Sequence, residues 1–247
     1  MPLTLLPKTA NAWANAALGA VLVVVVYTGG VARHADTEIP GPAQAVTLSG
    51  ATPDRTFGTG AGAYLVTTVR ISTSPLGDLF PPAPDAVARY TRGLAGEDAE
   101  GALAVDSARA AALRLVDPAG TGHLRAAADR LVPADHGARG PSGGLITALA
   151  FVDALTPGDL TGGLVIAGTG AIFPMGQVGE IGGADLKITG AQGQHPDVFF
   201  TPSTNELEAR SAGTPTPVVG VDTLSEAVAW LCAHGGASTA CPSGLQG

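Results

Sequence analysis

Two side chains in this sequence are placed to do chemistry together, a hydroxyl and an amine. Ser142 stands in the run Gly140-Pro141-Ser142-Gly143-Gly144, and Lys187 follows 45 residues later. A serine is a weak nucleophile until a base takes its proton, and a lysine becomes a base only when neutral. The chain holds two lysines, Lys8 and Lys187, while eleven of its thirteen basic residues are arginine. Lys8 precedes an apolar run, which leaves Lys187 as the sole lysine of the remainder. An ammonium can be made to give up its proton and a guanidinium cannot, so a lysine here fits a proton-transfer role.

The serine run supports two other readings. A hydroxyl just before a helix can cap it by accepting a free backbone N–H. Gly-x-Ser-x-Gly also fits the turn that presents the nucleophile of a Ser–His–acid hydrolase. That reading needs an acid and a histidine downstream. Asp153, Asp159, Asp185, Asp197, His195 and His234 are available, but no surrounding pattern selects among them.

The elements that must hold these residues are read from composition and periodicity. The chain has 247 residues, a net charge of −8 and 14% charged residues, with no basic stripe to bind nucleic acid. Cys232 and Cys241 lie nine apart. They are either two unrelated thiols or a disulfide closing a short loop, and their spacing, with His234 between, does not suit zinc. No metal or cofactor is expected.

Residues 9–32 carry no charge and include the run from Val21 to Val26. That length suits one membrane-crossing helix, so residues 11–32 are expected to form an uncleaved anchor. Lys8 and the terminal amine place the short segment 1–10 in the cytoplasm and the bulk outside, on a single-pass membrane protein. Residues 33–62 read as a linker, 63–235 as the domain and 236–247 as a tail.

Within the domain, alternation predicts a strand over 63–71 and buried strands near 164–167, 198–201 and 217–221. Residues 171–178 read as a strand broken by Pro174 and Gly176. Helices are predicted near 86–93, and over 100–116, 143–155, 185–191 and 205–210. A last helix follows the capping box Thr223-Leu224-Ser225-Glu226 and stops at Gly235. The order of elements is that of an α+β or mixed α/β domain, without strict βαβ repetition.

Three segments carry a family resemblance: GPSGGLITALAFVDALTPGDLTGG from Gly140, LVIAGTGAIFPMGQVGEIGGADLKITGA from Leu164, and DVFFTPSTNELEA from Asp197. In order and spacing they resemble the proteolytic domain of Lon-type serine peptidases, most closely its membrane-anchored bacterial relatives. The likeness extends more weakly over about residues 38–235. It implies a Lon-like α+β fold, with Ser142 on the nucleophile, Lys187 on the general base and Thr169 on the threonine that hydrogen-bonds near the lysine. Backbone N–H groups of Ser142 and Gly143 would then hold the oxyanion. The implied activity is hydrolysis of peptide bonds in unfolded or extended protein segments, in homo-oligomers. The sequence departs from the family at Gly143, where alanine is usual, and at Arg139, where many members carry aspartate. About 25 residues between Val116 and Ser142 leave no room for a PDZ insert, and no Gly-x-x-x-x-Gly-Lys-Ser/Thr run is present, so the activity is expected to be ATP-independent. The alternatives are a catalytically idle module of the same fold and a Ser–His–Asp esterase.

Overall fold

A computed structural model describes residues 37–50, 62–72, 84–134 and 140–242. Nearly all of these belong to one compact unit, Glu38–Arg70 with Ala88–Gly247. A second unit, Met1–Thr37 with Ile71–Val87, is described only at its margins. The expected anchor, 11–32, lies outside the described residues, among which no helix is long and apolar enough to cross a membrane.

The strands are β1 (Thr37–Pro40), β2 (Gln44–Ala45), β3 (Leu48–Ser49), β4 (Ala63–Val66), β5 (Val69–Ser72), β6 (Val132–Pro133), β7 (Gly158–Asp159), β8 (Val165–Gly168), β9 (Ala171–Ile172), β10 (Val178–Gly179), β11 (Val198–Pro202), β12 (Val218–Val221) and β13 (Ala237–Ser238). The α-helices are α1 (Pro84–Val116), α2 (Arg125–Arg130), α3 (Gly144–Leu155), α4 (Ala184–Ala191), α5 (Glu206–Ser211) and α6 (Leu224–Ala233). The main sheet has the order β12-β11-β8-β4-β2, with β8 at its centre. Four of its strands run parallel, and β2 is an antiparallel edge. The domain is therefore mixed α/β.

The period-2 alternation of strand side chains sorts the core into two layers. Tyr64, Val66, Ile166, Val198, Phe200 and Val221 face one way and pack with α3, α6 and the C-terminal half of α1. Leu65, Ala167, Phe199 and Val218 face the other way and pack with α4 and α5. Parallel neighbours need a return crossover, so α4 runs back between β8 and β11, and its first turn lies at the end where β8 finishes.

Several elements differ from their sequence reading. The helices expected at 86–93 and 100–116 are one helix, α1, because Gly93 and Gly96 weaken the local pattern without breaking the helix. The strand expected over 63–71 is two, interrupted at Thr67 and Thr68, since β4 joins the main sheet while β5 pairs with β1. The broken strand at 171–178 is a hairpin of β9 and β10, in which Phe173 N–H reaches the Gln177 carbonyl at 3.0 Å. The segment read as a linker contributes β1, β2 and β3, and the tail contributes β13, paired with β7. Two-residue strands are too short to show a period, but Ala43, Val46 and Leu48 are buried.

Cys232 on α6 and Cys241 beyond β13 form a disulfide. It pins the C-terminal strand to the last helix. Reducing it should lower stability by about 2–3 kcal/mol, the entropy regained by a short loop. Thermal melting with and without a thiol reductant measures this.

Candidate active site

Ser142 lies in a single 3-10 turn, Pro141–Gly143, that leads directly into α3. Gly140 takes a φ of +77°, which lets the chain enter that turn at no steric cost. The helix-cap alternative fails, because neither the turn nor α3 has a side-chain cap. Among the described residues no hydrogen bond engages the Ser142 hydroxyl, and the residue is half-buried.

Its carbonyl is held twice, by Gly170 N–H at 2.7 Å and by the Thr169 hydroxyl at 3.1 Å. Leu145 N–H donates in turn to the Gly170 carbonyl at 3.0 Å. Gly144 packs so closely that a methyl group there would fall 2.8 Å from Ile172 Cγ2. The serine turn is thus stitched to the residues that follow the central strand β8. The N–H groups of Ser142 and Gly143 open the helix, where backbone donors have no intrahelical partner and the helix dipole favours negative charge.

Lys187 reaches the same end of β8 from the opposite face of the sheet. It sits in the first turn of α4, on the stripe Ala184, Lys187, Ile188 and Ala191 that is buried against the sheet. Only 4% of it is exposed, a core position rather than that of a solvated helix lysine. Burial lowers its pKa from 10.5 to about 8, and the carboxylates of Glu208 and then Glu38 pull it back upward. Asp185, the nearest acid in sequence, is not among the groups that act on it.

Three buried threonines stand at the carboxyl ends of neighbouring parallel strands. Thr67, Thr169 and Thr201 each follow one of the register partners Val66, Gly168 and Phe200. The Thr67 hydroxyl donates to the Gly168 carbonyl at 2.9 Å, and Thr169 N–H donates to the Phe200 carbonyl at 2.9 Å. Thr201 Oγ1 is buried with no hydrogen-bond partner and, by strand alternation, points toward the lysine face. Thr169, expected near the lysine amine, donates its hydroxyl to the Ser142 backbone carbonyl. Its oxygen keeps lone pairs that can accept from an ammonium.

Ser142 and Thr169 are therefore in direct contact, while Ser142 Oγ and Lys187 Nζ are not hydrogen-bonded to each other. Catalytic hydrogen bonds are often long before substrate binds. The two histidines lie elsewhere. His195 precedes β11, and Asp197 accepts Val165 N–H at 2.8 Å at the amino end of β8. His234 ends α6, its ring stacked on Trp230 and hydrogen-bonded through Nδ1 to the Trp230 carbonyl at 2.7 Å. Both sit at the opposite end of the sheet from Ser142.

Asn205 was not singled out by the sequence, yet it organises this region. Buried, it accepts from Ile181 N–H at 3.1 Å, donates to the Ile181 carbonyl at 2.8 Å and donates to Glu208 at 2.8 Å. One side chain thus fixes both the turn that starts the lysine helix and an acid that acts on the lysine. No group of three or more possible metal ligands occurs among the described residues. Among known proteins, no family model matches the chain, and no curated protein matches it.

Proposed function

We propose that this protein is an ATP-independent serine endopeptidase of Lon type, cutting unfolded or extended protein segments with a Ser142–Lys187 dyad. The observation that carries this reading is the convergence on one strand end. An uncapped serine at a helix start and a buried lysine with a pKa of about 8 approach the end of β8 from its two faces.

In the reaction, neutral Lys187 takes the Ser142 proton as Oγ attacks the peptide carbonyl. The Ser142 and Gly143 N–H groups hold the oxyanion. The tetrahedral intermediate collapses, and Lys187 gives its proton to the leaving amine. Water then attacks the acyl-enzyme with Lys187 again acting as base, and Ser142 is regenerated. Thr169 fixes the serine turn through its bond to the Ser142 carbonyl. With a pKa of about 8, roughly a tenth of the lysine is neutral at pH 7. Turnover should therefore rise as pH climbs through about 8.

We place the domain outside the cytoplasm, held by an anchor over 11–32. The Cys232–Cys241 disulfide favours that side, because such bonds persist in oxidising compartments. His195 and His234 stand at the far end of the sheet from Ser142, which favours lysine over histidine as the base. Assembly into a homo-oligomer follows from the family reading.

The test uses a fluorophosphonate probe and an unfolded protein substrate. The wild-type chain should label and turn over, and Ser142→Ala should do neither, a loss of on the order of 10⁴-fold or more. Equal background in both would leave an idle binding module of the same fold. Turnover that survives Lys187→Ala but not His195→Ala or His234→Ala would restore the esterase.

A further inference from the structure

The segment Glu38–Pro42, part of the expected linker 33–62, lies along the lysine helix. Contacts at both ends of α4 fix it there. At the start of α4, the Glu38 carboxylate stands 3.8 Å from where a Cβ on Gly183 would lie, and Val69 Cγ2 of the paired strand β5 stands 3.1 Å from the same point. Gly183 is the N-cap of α4, and its carbonyl accepts Lys187 N–H at 3.0 Å, so Glu38 sits one turn from the lysine. Near the other end of α4, a methyl group on Gly190 would overlap the Gly41 carbonyl, so the two backbones touch. The segment is secured from behind, where Gly41 N–H donates to the Thr68 carbonyl and Thr68 Oγ1 donates to the Pro42 carbonyl, both at 3.1 Å.

We propose that Glu38–Pro42 is a strap over α4, and that Glu38 is a positioning residue that governs how readily Lys187 releases its proton. The inference rests on Lys187 serving as the general base. Two outside acids act on the amine through their charge, Glu208 from α5 and Glu38 from β1, while Asp185 of α4 itself does not. They differ in how they are held. Glu208 is fixed by buried Asn205, whereas Glu38 is exposed and stays in place only while the strap lies on the helix. A carboxylate stabilises the charged amine, so removing one favours the neutral base. Loss of Glu38 should thus make the enzyme faster at neutral pH.

The test reads the amine directly. The chain has only two lysines, so ¹³Cε-lysine labelling of the full chain in detergent gives two signals, and Lys187→Arg assigns them. Glu38→Gln should move the Lys187 titration midpoint downward by about half a pH unit or more. The acid limb of turnover should follow, and turnover at pH 7 should rise by roughly two- to five-fold. Gly190→Ala lifts the strap with every carboxylate intact and should move the midpoint the same way, while Asp185→Asn should leave it in place. A midpoint unmoved in both Glu38→Gln and Gly190→Ala, with Glu208→Gln shifting it, would overturn the strap. If the midpoint moves but no Ser142-dependent turnover exists, the strap stands and the peptidase reading falls.

Discussion

Replacing Lys187 with methionine should abolish turnover and raise the melting temperature of the same protein. Methionine keeps an unbranched stem and loses the charge, so the core position is filled by an apolar group of similar shape. The gain follows from linkage. The lysine pKa falls on folding from 10.5 to about 8, so the folded state resists carrying the proton. Below about pH 8 the amine is charged in both states and the full cost is present. The cost fades as pH rises from about 8 to 10.5, because the folded amine is then neutral. The difference corresponds to about 3 kcal/mol at neutral pH, or several degrees of melting temperature for a chain of this size. Calorimetry of the variant at pH 7 and pH 10 checks both parts. A gain at pH 7 that shrinks toward pH 10 fits a buried base, and an equal effect at both would mean that the amine is not desolvated.

Phe200→Ala should do the reverse, costing stability while sparing the chemistry. Phe200 is fully buried, and its ring meets Trp230 edge-on with centroids 5.3 Å apart. Truncating such a side chain costs about 3–5 kcal/mol, so the melting temperature should fall by roughly 10 °C. Phe200 reaches the site through its backbone, since its carbonyl accepts Thr169 N–H at 2.9 Å, and the substitution leaves that bond in place. Turnover at 15 °C should stay within a few-fold of wild type, and Trp230 fluorescence should report the loosened contact. A collapse of activity while the domain remains folded would mean that the layer containing α6 controls the serine turn.

The serine half of the site was legible because its signals are local. Gly140, Pro141 and Gly143 mark a turn into a helix by residue type alone. The last helix was legible for the same reason. Thr223 Oγ1 accepts Glu226 N–H at 3.2 Å, as a capping box requires, although Glu226 reaches back to Asp222 N–H rather than to Thr223. Lys187 stood out by rarity, and its burial agrees with the apolar residues around it.

What stayed hidden depends on contacts between distant parts of the chain. Asn205, Glu208 and Glu38 read as ordinary polar residues in sequence, and no period reveals that they meet at one helix start. Thr169 shows the same limit. Its position beyond a strand could be read, but its partner depended on how the serine turn docks. The short strands β1 to β3 were invisible because two to four residues among prolines and glycines carry no measurable alternation.

The central strand ends in Ala167 and Gly168, the two smallest residues available. Ala167 lies in the layer with α4, and a side chain on Gly168 would press within 2.8 Å of Ile146 Cδ1 on α3. The partition between the serine helix and the lysine helix is thus about as thin as a protein sheet can be at that point. These two residues act as the jaws of a calliper. Enlarging Gly168 should press on the helix that follows Ser142 and enlarging Ala167 on the helix that carries Lys187, so the spacing of hydroxyl and amine should respond to two residues that carry neither group.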